Sequence, residues 1–223
     1  MIASLKRYFA AGVLAAMAAP AAAEMEINLY SGYQSLPHSV LSGRYPEGAA
    51  LPAGTRFRET IGWEGRPFSM PIYYGARVTW WRENNLGFGA ELTHAKAYAP
   101  KSEMPEGFSR LEYSDGHNIL TVNMMKRWPN QWGDFTPYAG GGIGIAVPHV
   151  DVKAGGSRTF EYQLTGPAMR LTAGVGYALT DTWGLFGEYQ FTASQNDADL
   201  DGGGKMKARL ITNALNLGVS FRF

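Results

Sequence analysis

From residue 24 onward, apolar side chains recur at every second position in eight separate segments, and no apolar run reaches the roughly 20 residues that a membrane-crossing helix needs. A period of two is the mark of a strand whose faces meet different media. The segments cover about Met25–Gln34, Ile72–Trp81, Leu86–Thr93, His117–Lys126, Tyr138–Val147, Met169–Tyr177, Trp183–Thr192 and Ile211–Phe223. In the second, Tyr74, Ala76, Val78 and Trp80 alternate with Gly75, Arg77 and Thr79. In the last, Ile211, Leu215, Leu217, Val219, Phe221 and Phe223 alternate with Thr212, Asn216, Gly218, Ser220 and Arg222.

One face of these strands is predominantly apolar. The other is narrow and glycine-rich, and it carries Arg77, Glu91, Arg170, Glu188 and Arg222. Ionisable groups at membrane depth are tolerated when they face an interior and pair there, so the charged face is expected inside and the apolar face toward lipid. In lipid, strands are viable only in a closed ring. Eight strands enclose a lumen that side chains can fill, which predicts an interior ion-pair network and no open pore. A soluble barrel would place its apolar face inside, the reverse assignment.

The connections alternate in length. Long polar insertions fall at about 35–71, 98–116, 148–166 and 194–207, and short turns at Arg82–Asn85, Trp128–Phe135 and Thr180–Thr182. Long extracellular loops and short periplasmic turns are the outer-membrane pattern. Trp80, Trp81, Trp128, Trp132 and Trp183 fall at the short-turn ends, where an aromatic girdle belongs, with Tyr33, Tyr74, Tyr98 and Phe191 near the other rim. The alternating apolar ending at Phe223 resembles the signal read by the barrel assembly machinery. The fold class is therefore all-β: an eight-stranded antiparallel transmembrane barrel, OmpA-like, with a filled lumen and four long extracellular loops, seated in the bacterial outer membrane as a monomer.

Residues 1–23 form a secretory leader. Lys6 and Arg7 supply its basic start, Phe9–Met17 its apolar stretch and Ala21-Ala22-Ala23 its cleavage site. Residues 24–223 are the barrel. Losing Lys6 and Arg7 leaves 18 basic against 19 acidic residues, a near-neutral balance in which nothing points to a nucleic-acid polyanion as partner. With no cysteine, disulfides, zinc–thiolate sites and thiol nucleophiles are excluded too.

All four histidines, His38, His94, His117 and His149, map to the end with the long loops, which also holds Glu64, Glu112, Asp115, Asp151 and Glu161. Histidine shuttles protons near neutral pH and ligates metals, so His94, His117 and His149 with Asp151 and Glu161 are candidate catalytic residues. The alternative is that these are ordinary residues of solvated loops. Asp197-x-Asp199-x-Asp201-Gly202 matches the opening of a calcium loop, but position twelve is Ala208 and Lys205 and Lys207 add repulsion, so a solvated hairpin tip is the competing reading. Gly140-x-Gly142-x-Gly144 lies in a strand and opens no helix, so it is not a dinucleotide fingerprint. Basic residues crowd the same end: Arg44, Arg56, Arg58, Arg66, Lys101, Arg110, Lys205 and Lys207, with Lys96, Lys153 and Arg158 as candidate contacts to lipid phosphates.

Several stretches are specific: FGAELTHAKAYA (88–99), DGHNILTVNMMKRWP (115–129), TPYAGGGIGIAVPHVDV (136–152), GGSRTFEYQLTGPAMR (155–170) and LFGEYQF (185–191). Together they resemble the outer-membrane β-barrel family of α-proteobacteria that includes the lipid A oxidase of rhizobia. The likeness covers nearly the whole mature chain and is strongest at His94, His117, Pro148-His149 and the Gly155–Gly166 loop. The resemblance implies O2-dependent oxidation of the proximal glucosamine of lipid A to 2-aminogluconate with release of hydrogen peroxide. It implies lipid A or lipopolysaccharide as partner, O2 as oxidant, and a divalent metal or another cofactor, because side chains alone do not activate O2 readily. It fixes no catalytic residues. The alternative is a non-enzymatic OmpA-like barrel serving envelope integrity or adhesion.

Overall fold

The computed structural model describes residues 24–129 and 131–223, so the leader at 1–23 lies outside the described residues. Eleven strands follow one another: β1 (Glu24–Ser35), β2 (Ser39–Arg44), β3 (Arg56–Ile61), β4 (Tyr74–Trp81), β5 (Leu86–Tyr98), β6 (Phe108–Arg127), β7 (Phe135–Ala154), β8 (Ser157–Tyr162), β9 (Gly166–Ala178), β10 (Trp183–Leu200) and β11 (Gly204–Arg222). All pairings between them are antiparallel, and β1, β4, β5, β6, β7, β9, β10 and β11 form a circuit that β1 and β11 close. Those eight correspond to the eight alternating segments, apart from Ile72, Tyr73 and Phe223, which lie just outside β4 and β11. β2 and β3 form a hairpin added to the upper end of β11, and β8 folds back on β7.

The long insertions prove to be mostly strand. β6 begins at Phe108, β7 runs on to Ala154, and β10 and β11 meet at a turn over Asp201–Gly203. Alternation survives this extension, but its polarity reverses. On β11, Ile211, Leu215, Leu217, Val219 and Phe221 face outward below, whereas Lys205, Lys207 and Arg209 face outward above. Inward, Thr212, Asn216 and Ser220 give way to Met206, Ala208 and Leu210. The lower deck is thus apolar outside and polar inside, and the upper deck is charged outside and apolar inside. The reason is the external solvent, lipid below and water above.

The upper deck closes on its own core. β1 and β4 stop short, and the first insertion fills the gap they leave: β2 pairs with β11 on one side, and Glu64 bridges to Tyr98 of β5 on the other. Leu41, Tyr45, Phe57, Ile61, Trp63, Leu111, Tyr113, Val150, Leu200, Met206 and Leu210 pack inside it. A fully buried Leu or Ile contributes about 1.5–3 kcal/mol, enough for this layer to hold its shape outside the membrane.

In the lower deck, Glu91 and Glu188 organise the lumen. Arg77 donates to Glu188 at 2.8 Å and stands 3.6 Å from Glu91, and Arg170 reaches Glu91 at 3.0 Å. Tyr30, Asn123 and Gln190 also donate to Glu91, while Tyr138 and Asn216 donate to Glu188. Arg222, the fifth charge on this face, lies lower and binds Glu26 at 3.1 Å. Glycine on β7 lets the network fit: a Cβ on Gly142 would strike the Asn123 amide, and one on Gly144 the Leu120 carbonyl. The lumen is plugged. A cavity of about 240 Å³ opens at the periplasmic end, lined among others by Glu24, Trp81, Arg127 and Arg222. It ends at Asn28 and Tyr138, which are tied to Arg77 and Glu188. Trp81 therefore lines this mouth rather than the lipid-facing girdle, which Trp80, Trp128, Trp132 and Trp183 occupy; Trp63 is in the upper core.

Candidate functional site on the outer wall

With the lumen filled, chemistry has to be sought outside the ring, at the seam between the decks. Leu92, Leu120 and Ile145 are neighbours in one cross-strand row and form the top of the apolar wall. The next row up is Tyr74, His94, Asn118 and Val147. Two residues higher on β7 stands His149, opposite Tyr162 of β8.

A bulge interrupts β6 at this level. Between the pairs Glu112–Asp151 and His117–Pro148, four residues of β6 face two of β7. The surplus leaves the ladder at Ser114-Asp115-Gly116, with Gly116 at φ 120°, in the region that favours glycine. The bulge pushes the half-exposed Asp115 outward, and its Oδ2 lies 3.5 Å from His149 Nδ1. Gly116 packs against the His94 ring on the other side, where any Cβ would strike the imidazole.

Both outward histidines are wedged in place. His94 stacks on Tyr74 with ring centroids 4.9 Å apart, and its Nδ1 bonds Asn118 Oδ1 at 2.9 Å. Burial lowers its pKa, with Asn118 acting in the opposite sense. His149 sits edge-on between Phe160 (4.4 Å) and Tyr162 (4.8 Å). His94 Nε2 and His149 Nδ1 are buried and have no hydrogen-bond partner. Buried polar groups are nearly always satisfied, so these two nitrogens, like His117 Nδ1 and Tyr113 Oη elsewhere, are exceptions, and here both histidines adjoin the Asp115-Gly116 bulge.

The remaining sequence candidates are dispersed. His117 points inward between the two cores, with its Nε2 3.1 Å from both Asn196 Oδ1 and Ser194 Oγ; burial drives its pKa down to about 4. Asp151 is buried on the outer wall and holds Arg110 (2.8 Å) and Arg158 (3.4 Å), so it positions two guanidiniums. Glu161 is on the other face of β8 from Phe160 and Tyr162, bonded by Gln163. Lys96 is covered by the 66–70 segment, where its Nζ donates to the Ser69 carbonyl, and burial together with Arg66 pushes its pKa down. Lys153 and Arg158 are exposed neighbours at the top of the β7–β8 hairpin. Asp197 and Asp199 do not converge with Asp201: each pairs across the ladder, with Lys207 at 2.7 Å and Lys205 at 3.1 Å. No three His, Asp or Glu side chains approach metal-ligand spacing among the described residues. A divalent ion held by protein ligands alone does not fit.

Sequence reasoning grouped Asp115 with loop acids and passed over Asn118, Phe160 and Tyr162. The Asp115-Gly116 pair inside a strand-like run was the available sign of a bulge.

The sequence matches the outer membrane protein beta-barrel domain over residues 9–223. The chain belongs to that family. It is an outer-membrane barrel of the bacterial envelope. Among solved structures, it is similar to Neisserial surface protein A (14% identity, 89% of this chain and 97% of that one, TM-score 0.49). It is also similar to outer membrane protein AlkL, determined in DMPC bilayers (15%, 92% and 94%, 0.49). The attachment invasion locus protein Ail of Yersinia pestis is another (13%, 91% and 100%, 0.38). Likeness at this level concerns the barrel and assigns no ligand. No curated protein sequence matches the chain.

Proposed function

We propose that this barrel acts on lipid A from its outer wall, with His149, Asp115 and His94 as the reacting cluster and oxidation of the proximal glucosamine to 2-aminogluconate as the chemistry. One observation carries the location: Asp115 reaches to 3.5 Å from His149 and the adjacent Gly116 packs on His94, immediately above the lipid-facing row Leu92–Leu120–Ile145. A lipid anchored in the outer leaflet presents its sugar at that height, and it arrives laterally, which a plugged lumen does not hinder. The reaction itself rests on the sequence resemblance. Within it, His149 backed by Asp115 suits proton removal from a sugar hydroxyl, and His94, fixed by Tyr74 and Asn118, suits holding or returning a proton. The sugar's anomeric carbon loses two electrons and two protons to O2, giving the lactone and hydrogen peroxide, and water then opens the lactone to the acid, a net gain of one oxygen. Electron transfer to O2 is not work for imidazole and carboxylate, so the cluster's part is proton transfer and orientation.

A non-enzymatic surface barrel is the second reading. It is favoured by the dispersal of His117, Asp151 and Glu161 away from His94 and His149. Expression in a host lacking the modification, followed by mass spectrometry of its lipid A, separates the two. The oxidase reading expects a shift of one oxygen, lost in His149→Ala and Asp115→Asn. No shift from a folded, membrane-inserted barrel rejects it, and an undiminished shift in both variants rejects the site.

A further inference from the structure

A second surface of the upper deck, away from the histidine cluster, has a charge pattern of its own. The outward side chains of β11, β2 and β3 form cross-strand rows. Lys205 lies opposite Arg44, which lies opposite Arg56; below them, Lys207, Ser42 and Arg58 form the next row. Arg209 follows below on β11, two residues above Ile211. Six cations thus share one face, flanked by Asp197 and Asp199 of β10. Those carboxylates bind only Lys207 and Lys205, and Arg44, Arg56, Arg58 and Arg209 are in no ion pair among the described residues.

Such an arrangement is costly by itself. Like charges directly opposite one another in a ladder repel, and here Lys205, Arg44 and Arg56 are three in line. A bound polyanion would offset that cost, and arginine forks fit phosphate bidentately. Position narrows the anion. At about 3.3 Å per residue, Arg209 stands about 7 Å and Lys205 about 20 Å above Ile211 along the strand. Beneath Ile211 the same strand presents Leu215, Leu217 and Val219 to lipid. The surface is therefore an apolar wall below and a cationic wall above, with Asn213, bonded by Tyr189, as the one outward polar residue on β11 between Ile211 and Leu215.

The geometry points to this β11–β2–β3 face as a docking site for a phosphorylated glycolipid of the outer leaflet, its acyl chains against Leu215, Leu217 and Val219 and its phosphates on Arg209, Arg58, Arg56 and Arg44. A soluble polyanion would use only the upper half of that surface. The site needs only the membrane seat. It is independent of any chemistry at His149, from which β9 and β10 separate it.

The test uses the full barrel in detergent micelles with bisphosphorylated lipid A as probe, and retained lipid counted by native mass spectrometry. Arg44→Gln, Arg56→Gln and Arg58→Gln combined are expected to weaken retention at least tenfold, whereas the three Arg→Lys changes hold it within about threefold. Dephosphorylated lipid A should bind the unaltered barrel as weakly as the phosphorylated form binds the Gln variant. Millimolar inorganic phosphate should not displace the lipid. Combined Arg82→Gln and Lys126→Gln, at the short-turn end and in neither lipid-contacting surface, should leave retention unchanged. Heat-modified gel mobility verifies folding of every variant. Equal loss in that control, indifference to the lipid's phosphates, or displacement by free phosphate would each overturn the proposal. Loss of retention with lipid A conversion intact would separate this site from the histidine cluster.

Discussion

Replacing Glu91 by Gln tests how the lumen is held together. Glu91 is 1% exposed and accepts from Tyr30, Asn123 and Gln190 while lying within ion-pair distance of both Arg170 and Arg77. The arginines are not equivalent. Arg77 keeps Glu188 at 2.8 Å, but among the described residues Glu91 is the sole carboxylate paired with Arg170, itself 1% exposed. Glu91→Gln preserves volume and several hydrogen bonds, yet it leaves a guanidinium buried without its counter-charge. Breaking a buried pair from one side costs about 3–5 kcal/mol. Retained bonds from Arg170 to Thr93 and Thr121 place the expectation at the lower end, about 3 kcal/mol. Equilibrium urea unfolding in lipid vesicles, followed by tryptophan fluorescence, measures it. A second change, Arg170→Met, removes the stranded charge and should recover more than half of the loss in the Glu91→Gln background, a coupling that a double-mutant cycle isolates. A loss below about 1 kcal/mol, or a double variant no more stable than the single one, would refute an ion-paired lumen.

Gly144→Ala should cost about 1–3 kcal/mol or block assembly, because its Cβ meets the fixed Leu120 carbonyl; Gly187→Ala, whose Cβ would touch Leu217 Cδ2 at an ordinary 3.4 Å, should be tolerated, and gel mobility shift distinguishes them. His117 has a pKa lowered by burial from 6.5 to about 4, so the unfolded upper deck binds a proton that the folded one refuses. Its contribution is full above pH 6.5 and is lost progressively as pH falls toward 4, on the order of 3 kcal/mol in all. Protease resistance of the extracellular layer should fall across that window and should not do so in His117→Gln. Asp151→Asn releases Arg110 and Arg158 from their shared carboxylate, with a loss of about 1.5–3 kcal/mol expected in the β7–β8 hairpin, read as faster nicking there.

How far the chain could be read beforehand differs between the decks. In the membrane layer, period-two alternation assigned side chains such as Arg77, Glu188 and Leu217 to the correct faces, since lipid outside leaves a strand one way to orient. In the upper deck the same alternation is present, in Met206, Ala208 and Leu210 against Lys205, Lys207 and Arg209, but a run of charges resembles a solvated loop until the strand beneath it is known. The pairing of histidine with acid was the least accessible. Asp151 is nearer His149 in sequence than Asp115, yet it faces Arg110 and Arg158, whereas Asp115 comes from another strand.

What sequence alone determined was therefore the ring and its lower sidedness, because both follow from a repeat of two and from the cost of unpaired backbone in lipid. Tertiary structure alone decided where the polarity inverts, how residues 36–73 complete the upper wall, and which carboxylate meets which histidine. Those depend on register and on a bulge, and a shift of one or two residues in pairing changes neighbours without altering the pattern that the sequence displays.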